Sequence, residues 1–198
     1  MIQDKIKKHF QKKDPILFEA YEKLNQPVIL TPHTDYFAAL CESIINQQIS
    51  TKAGEAIWKR FISLFPNQKV SAKITNTLSV EQLRPIGISK PKAKYILDLS
   101  TKVINQEVCL DHLTSMSDDD IVIELTKVKG IGTWTAEMFM MFTLGREDIF
   151  SVKDLGLKRA IQKLYSIHYD PTVEELLQIS LPWSPYRTYA SMILWKSL

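Results

Sequence analysis

Cysteine is nearly absent, with Cys41 and Cys109 the only two in 198 residues. Two thiols cannot supply the four ligands of an iron–sulfur cluster. Lying far apart in sequence, they fit a reducing compartment with two free, packed thiols and no disulfide framework. The four histidines (His9, His33, His112 and His168) stand singly, without zinc-ligand spacing. No G-x-x-x-x-G-K-[ST] loop occurs and no serine sits in G-x-S-x-G, which argues against a P-loop nucleotide site and a hydrolase elbow. No run approaches the ~18 apolar residues of a membrane span. The opening Met1-Ile2-Gln3-Asp4-Lys5-Ile6-Lys7-Lys8 lacks the apolar core of a signal peptide. A cytoplasmic location is expected, on the nucleoid if the source is bacterial, with no membrane partner.

What is present is an ordinary globular composition, 45% apolar and 24% charged, with 25 Lys+Arg against 22 Asp+Glu and a formal charge of +3. Apolar residues recur at helical spacing, as in Phe37, Leu40, Cys41, Ile44 and Ile45, and again in Ala93, Ile96, Leu97, Val103 and Ile104. Asp14-Pro15, Ser184-Pro185, Ser79-x-x-Gln82 and Thr172-x-x-Glu175 read as helix starts. Ser117 before three aspartates reads as another, and Gly145 as the stop of a helix from about Thr133 to Leu144. The expectation is an all-α chain of nine or ten helices without a sheet. It forms one compact unit over 1–198, split into a lobe of middle helices near 36–125 and a lobe of 1–35 plus 126–198. Five basic residues between Arg84 and Lys102 face only Asp98, which suits either nucleic acid or a solvated helix face.

The segment Leu125-Thr126-Lys127-Val128-Lys129-Gly130-Ile131-Gly132-Thr133-Trp134-Thr135-Ala136 reads as a helix, a two-glycine hairpin and a second helix. The glycines permit close backbone approach, and the new helix start offers N–H donors to a phosphate. Pro85-Ile86-Gly87-Ile88-Ser89 is a weaker copy of the same junction. Asp154 follows Gly132 by 22 residues and, on local pattern alone, reads as the N-cap of a helix beginning at Leu155.

Hairpin, helix, loop and Asp154 together resemble the helix–hairpin–helix DNA glycosylase superfamily, and within it the 3-methyladenine DNA glycosylase II family. Ile44-Ile45-Asn46-Gln47-Gln48-Ile49-Ser50, Gly87-Ile88-Ser89-x-x-Lys92-Ala93 and Trp183-Ser184-Pro185-Tyr186-Arg187-Thr188-Tyr189-Ala190 continue the match from about Tyr36 to Trp195. The short lead before Tyr36 resembles a compact form without the N-terminal β domain of some members.

The resemblance implies a two-lobed helical fold with the active-site cleft between lobes. It also implies a monomeric repair enzyme that flips alkylated purines out of double-stranded DNA and hydrolyses their glycosidic bond. Asp154 becomes the catalytic carboxylate, stabilising positive charge on the sugar. Trp134 stands where bifunctional relatives carry a Schiff-base lysine, which implies a monofunctional enzyme; Trp134 is otherwise plain core. Trp134, Trp183 and Tyr186 are the base-pocket candidates, while Tyr189 and Ile193 are expected in the core. Gln48 stands where the family often carries a leucine wedge, with Gln47 and Ile49 beside it; the alternative is a solvated helix end. Ser89, Lys92, Lys129, Gly130, Gly132 and Thr133 are the DNA-backbone candidates. No cofactor is required, though the carbonyls of Val128 and Ile131 are expected to hold Na+ or K+ when DNA is bound. Two alternatives stay open: a non-catalytic hairpin protein for damaged or bent DNA, and a glycosylase for another purine lesion.

Overall fold

The computed structural model describes residues 2–198, and among them every regular element is helical. In chain order these are α1 (Ile2–Lys13), α2 (Pro15–Glu22), α3 (Tyr36–Asn46), α4 (Thr51–Ile62), α5 (Ala72–Thr75) and α6 (Val80–Leu83). They continue with α7 (Lys90–Ile104), α8 (Asp118–Thr126), α9 (Thr133–Phe139), α10 (Leu155–Leu164), α11 (Val173–Ser180) and α12 (Arg187–Lys196). The tally exceeds the expected nine or ten because α5 and α6 are single turns, too short to carry a periodic apolar pattern. The expected helix from Thr133 to Leu144 keeps its ends but widens into a π turn over Met140–Leu144, closed by Gly145 at φ +71°.

Most caps lie where the side-chain chemistry puts them. Asp14 accepts from the Leu17 amide, and Ser79 with Gln82 and Thr172 with Glu175 form reciprocal boxes. Ser184-Pro185 is the exception: α12 starts at Arg187, with Tyr186 as an N-cap that makes no side-chain bond. Its first amides find distant acceptors instead, Arg187 on Asp148 Oδ1 at 3.1 Å and Thr188 on the Glu147 carbonyl at 2.9 Å.

Two compact units divide the chain, residues 33–139 and residues 1–32 with 140–198. The boundary therefore falls after Phe139, not near 126. The hairpin belongs with the middle helices because α9 packs on α8 and α3. In the middle unit Phe37, Leu40, Cys41, Ile44, Phe61, Ile96, Leu99 and Leu125 are buried. Burial pushes the free Cys41 thiol well above its ordinary range, whereas free Cys109 is only half-buried and not packed away as expected.

The other unit is built on Ile6, Phe10, Leu17, Leu157, Ile161, Ile193 and Leu194. Trp183 lies at its centre, 0% exposed, and donates its indole N–H to Asp14 Oδ2 at 2.7 Å. The Tyr165 hydroxyl donates to the same oxygen. One buried carboxylate thus ties α2 to the segments before and after α11. Asp14→Ala removes an N-cap and strands the buried Trp183 indole and the half-buried Tyr165 hydroxyl, so it is expected to cost about 3 kcal/mol of unfolding free energy. Denaturant titration checks this; a loss below about 1 kcal/mol contradicts it.

Candidate active site

In the middle unit, α3 ends at Asn46 and the chain must turn sharply to reach α4, which Ser50 caps. Helix ends leave carbonyls without partners. Here Lys92 supplies them: its ammonium donates to the carbonyls of Ile45 at 2.8 Å and Gln47 at 2.5 Å. Burial lowers the Lys92 pKa. Gln47 then reaches across with its side-chain amide to the Gly130 carbonyl at 2.9 Å. Between these ties Gln48 adopts φ +56°, a left-handed conformation that costs an ordinary residue about 1–2 kcal/mol. Gln48 and Ile49 are exposed.

The hairpin between α8 and α9 is pinned by two buried side chains, Val128 and Ile131, with the Ile131 amide donating to the Val128 carbonyl at 3.1 Å. That leaves Lys129, Gly130, Gly132, Thr133 and Trp134 on the exposed side. Gly130 is needed twice over. Its φ is +85°, and a Cβ there would lie 2.1 Å from the Tyr95 ring. Gly132 differs, since a Cβ would meet no atom within 4 Å. The Lys129 amide donates to Asp98 Oδ2 at 2.9 Å, while its side chain stays 76% exposed. Lys102 closes the hairpin's entry with a bond to the Lys127 carbonyl at 2.7 Å.

Lys92, Tyr95, Asp98 and Lys102 therefore form one helical stripe on α7 that serves both the 47–50 loop and the hairpin. Sequence reasoning missed Tyr95 and Asp98, although their spacing with the two lysines was visible. It also misplaced Lys92 and Gln47: the ammonium is turned inward onto carbonyls rather than toward a phosphate, and the Gln47 amide is spent on the hairpin. Ser89, the N-cap of α7, makes no side-chain capping bond and is exposed. Gln47, Gln48, Ser89, Tyr95 and Gly130 border one open depression of about 310 Å³.

In the other unit, Asp154 is the N-cap of α10, as local pattern implied. Its Oδ1 accepts from the Leu157 amide at 2.7 Å and from the Trp195 indole N–H at 3.1 Å. Gly156 makes room for this: a Cβ there would lie 3.0 Å from Asp154 Oδ1 and 3.2 Å from the Trp195 ring. Neither Trp195 nor Gly156 carried a sequence signal. The loop ahead of Asp154 is tied to the start of α12 by the Arg187 guanidinium, which grips Asp148 at 2.8 and 2.9 Å. The Thr188 hydroxyl adds a bond to the Arg146 carbonyl at 2.6 Å. Burial pushes the Asp148 carboxyl up, but Arg187 and the Ser184 hydroxyl outweigh it and hold the group below its usual range.

The aromatic candidates separate. Trp134 is 45% exposed in the first turn of α9 and so is not plain core. Trp183 is buried and bonded to Asp14, which removes it from any base pocket. Tyr186 is half-buried, edge-on to the rings of His9 and Tyr189. Tyr189 and Ile193 are core residues, as expected.

The two hairpin glycines can be told apart by substitution. Gly130→Ala should lose about 1–2 kcal/mol of stability through its positive φ and the Tyr95 contact. Gly132→Ala should melt within about 0.5 kcal/mol of wild type yet bind duplex DNA several-fold more weakly. Melting curves and a binding titration check both. A Gly132→Ala protein that binds like wild type contradicts a DNA backbone lying against that face.

The family model for the HhH-GPD superfamily of base excision DNA repair proteins matches residues 41–185. Bacillus subtilis YfjP, which carries the name of a DNA-3-methyladenine glycosylase, is 33% identical over 96% of this chain and 67% of its own length. The crystal structure of a DNA-3-methyladenine glycosidase from Bacillus halodurans superposes with a TM-score of 0.83 at 36% identity, over 96% of this chain and 87% of that one. The 3-methyladenine DNA glycosylase of Schizosaccharomyces pombe in complex with abasic DNA also gives 0.83, at 25% identity over 97% and 95% of the two chains. With the matched model spanning most of its length, the chain belongs to the HhH-GPD superfamily of base excision DNA repair proteins.

Proposed function

We propose that the protein is a monofunctional DNA glycosylase for alkylated purines of the 3-methyladenine and 7-methylguanine type. The observation that carries this reading is Asp154, a carboxylate fixed by the α10 amide of Leu157 and the indole of Trp195. It stands in a chain whose relatives bear glycosylase names. A helix cap alone accounts for the Leu157 bond but not for the Trp195 indole on the same oxygen.

The chemistry follows from charge. Alkylation leaves the purine cationic, so its bond to C1′ breaks with the electron pair going to the base, and no strong general acid is needed. Positive charge then builds on the deoxyribose, where the Asp154 carboxylate stabilises it. Water adds its oxygen to C1′ and gives up a proton, which the same carboxylate accepts. The products are the neutral base and an uncut abasic site.

Extrusion of the nucleotide leaves a gap in the stack that Gln48 fills. The exposed face of the hairpin meets the DNA backbone through Lys129, Gly132 and Thr133. Trp134 offers an exposed electron-rich ring to the cationic base, an attraction of about 0.5–2 kcal/mol. The carbonyls of Val128 and Ile131 are neutral oxygen donors that suit a hard monovalent cation, which would brace the turn against a phosphate.

Asp154→Asn is expected to bind methylated duplex DNA like wild type while releasing bases on the order of 10²-fold more slowly, measured by chromatography of the freed purines. Unchanged release removes Asp154 from the chemistry, and wild-type protein that binds without release favours a non-catalytic reader. With Trp134 in place of a lysine, borohydride added during turnover is expected to trap no covalent protein–DNA adduct. Efficient trapping overturns the monofunctional assignment.

A further inference from the structure

Gln48 sits in a backbone conformation that ordinary residues avoid, and such a conformer persists only where its surroundings over-determine it. Lys92 holds the carbonyls on both sides of the α3 terminus, Ile45 and Gln47, and the second of these is the peptide that leads directly into Gln48. The Gln47 side chain then fastens the same peptide unit to the Gly130 carbonyl of the hairpin. Lys92 itself is carried by α7, whose next turns hold the hairpin through Tyr95 and Asp98.

We propose that Lys92 is a positioning residue for nucleotide extrusion: its ammonium latches the 47–50 loop so that Gln48 is pre-formed as the plug, in fixed register with the hairpin. This inference rests on the glycosylase reading for its consequence but not for its geometry. The Lys92 ammonium is engaged by two backbone carbonyls of the loop. Its contribution is to the fraction of molecules whose plug is ready when DNA arrives, and that fraction multiplies directly into the apparent extrusion equilibrium.

The test is Lys92→Met, which keeps the aliphatic stem and removes the donors, compared with Lys92→Arg, which keeps donors at the carbonyls. Single-turnover base release is measured on methylated purine in a fully paired duplex, and on the same lesion placed opposite an abasic analogue, where no pairing resists extrusion. Lys92→Met is expected to slow the paired substrate about tenfold and the unpaired one less than about threefold, with Lys92→Arg restoring most of the difference. Equal slowing on both substrates, or none on either, overturns the proposal. So does weaker binding to undamaged duplex with a salt slope reduced by about one, which marks a phosphate contact.

A chemistry-free readout separates this from the function itself. With 2-aminopurine stacked beside the lesion, wild-type binding should raise its fluorescence as the plug enters, and Lys92→Met should reduce that rise several-fold. If wild type raises the fluorescence and Lys92→Met reduces that rise, yet no base is freed, the glycosylase reading fails while the latch stands. If both variants raise it equally, the latch fails whatever the base-release result.

Discussion

Backbone groups at helix ends and tight turns have no partner of their own, and the side chains of α7 provide them for two separate turns at once. Lys92 takes the carbonyls that end α3, and Lys102 takes one that ends α8. Asp98 takes an amide of the hairpin, and the Tyr95 ring lies where only a glycine backbone fits. A lysine at a helix C-terminus both satisfies carbonyls and sits in a favourable dipole field. Because the four side chains recur at helical spacing on one rigid element, the 47–50 loop and the hairpin share a single reference frame. That constraint holds a strained Gln48 and a glycine turn in fixed register with each other.

The other unit applies the same logic to Asp154 with different residues. α12 has no local N-cap, so its first amides and the Arg187 side chain draw in the 146–149 loop. One helix length later, Trp195 meets Asp154. One element thus holds the carboxylate and the approach to it, and Gly156 keeps the space between indole and carboxylate open. In both units the candidate residue sits at a turn, and its placement comes from a helix remote in sequence.

This division explains what could be read from the chain in advance. Periodicity, caps and glycines are local signals, so the all-helical class, Asp154 as a helix start and the hairpin were legible. Lys92 and Trp183 were misassigned because sequence gives a residue's type and not its direction. A lysine in a basic cluster looks the same whether it points to solvent or to carbonyls, and a tryptophan beside a proline looks the same in a pocket or a core. The roles of Trp195 and Asp98 were missed for a related reason: their partners lie 41 and 31 residues away, and only the packing of helices brings them together. The unit boundary was missed because the hairpin's affiliation depends on which helix its buried side chains meet.

If α7 truly unites the two turns, their amides must open with it and not before it. Native-state hydrogen exchange on the free protein measures this most directly. The Lys129 amide, bonded only to the Asp98 side chain among its α7 contacts, is the decisive probe. The account predicts that it exchanges with the same opening free energy as buried α7 amides such as that of Leu99. Exchange of Lys129 at the rate of an unprotected loop, while α7 stays closed, contradicts it.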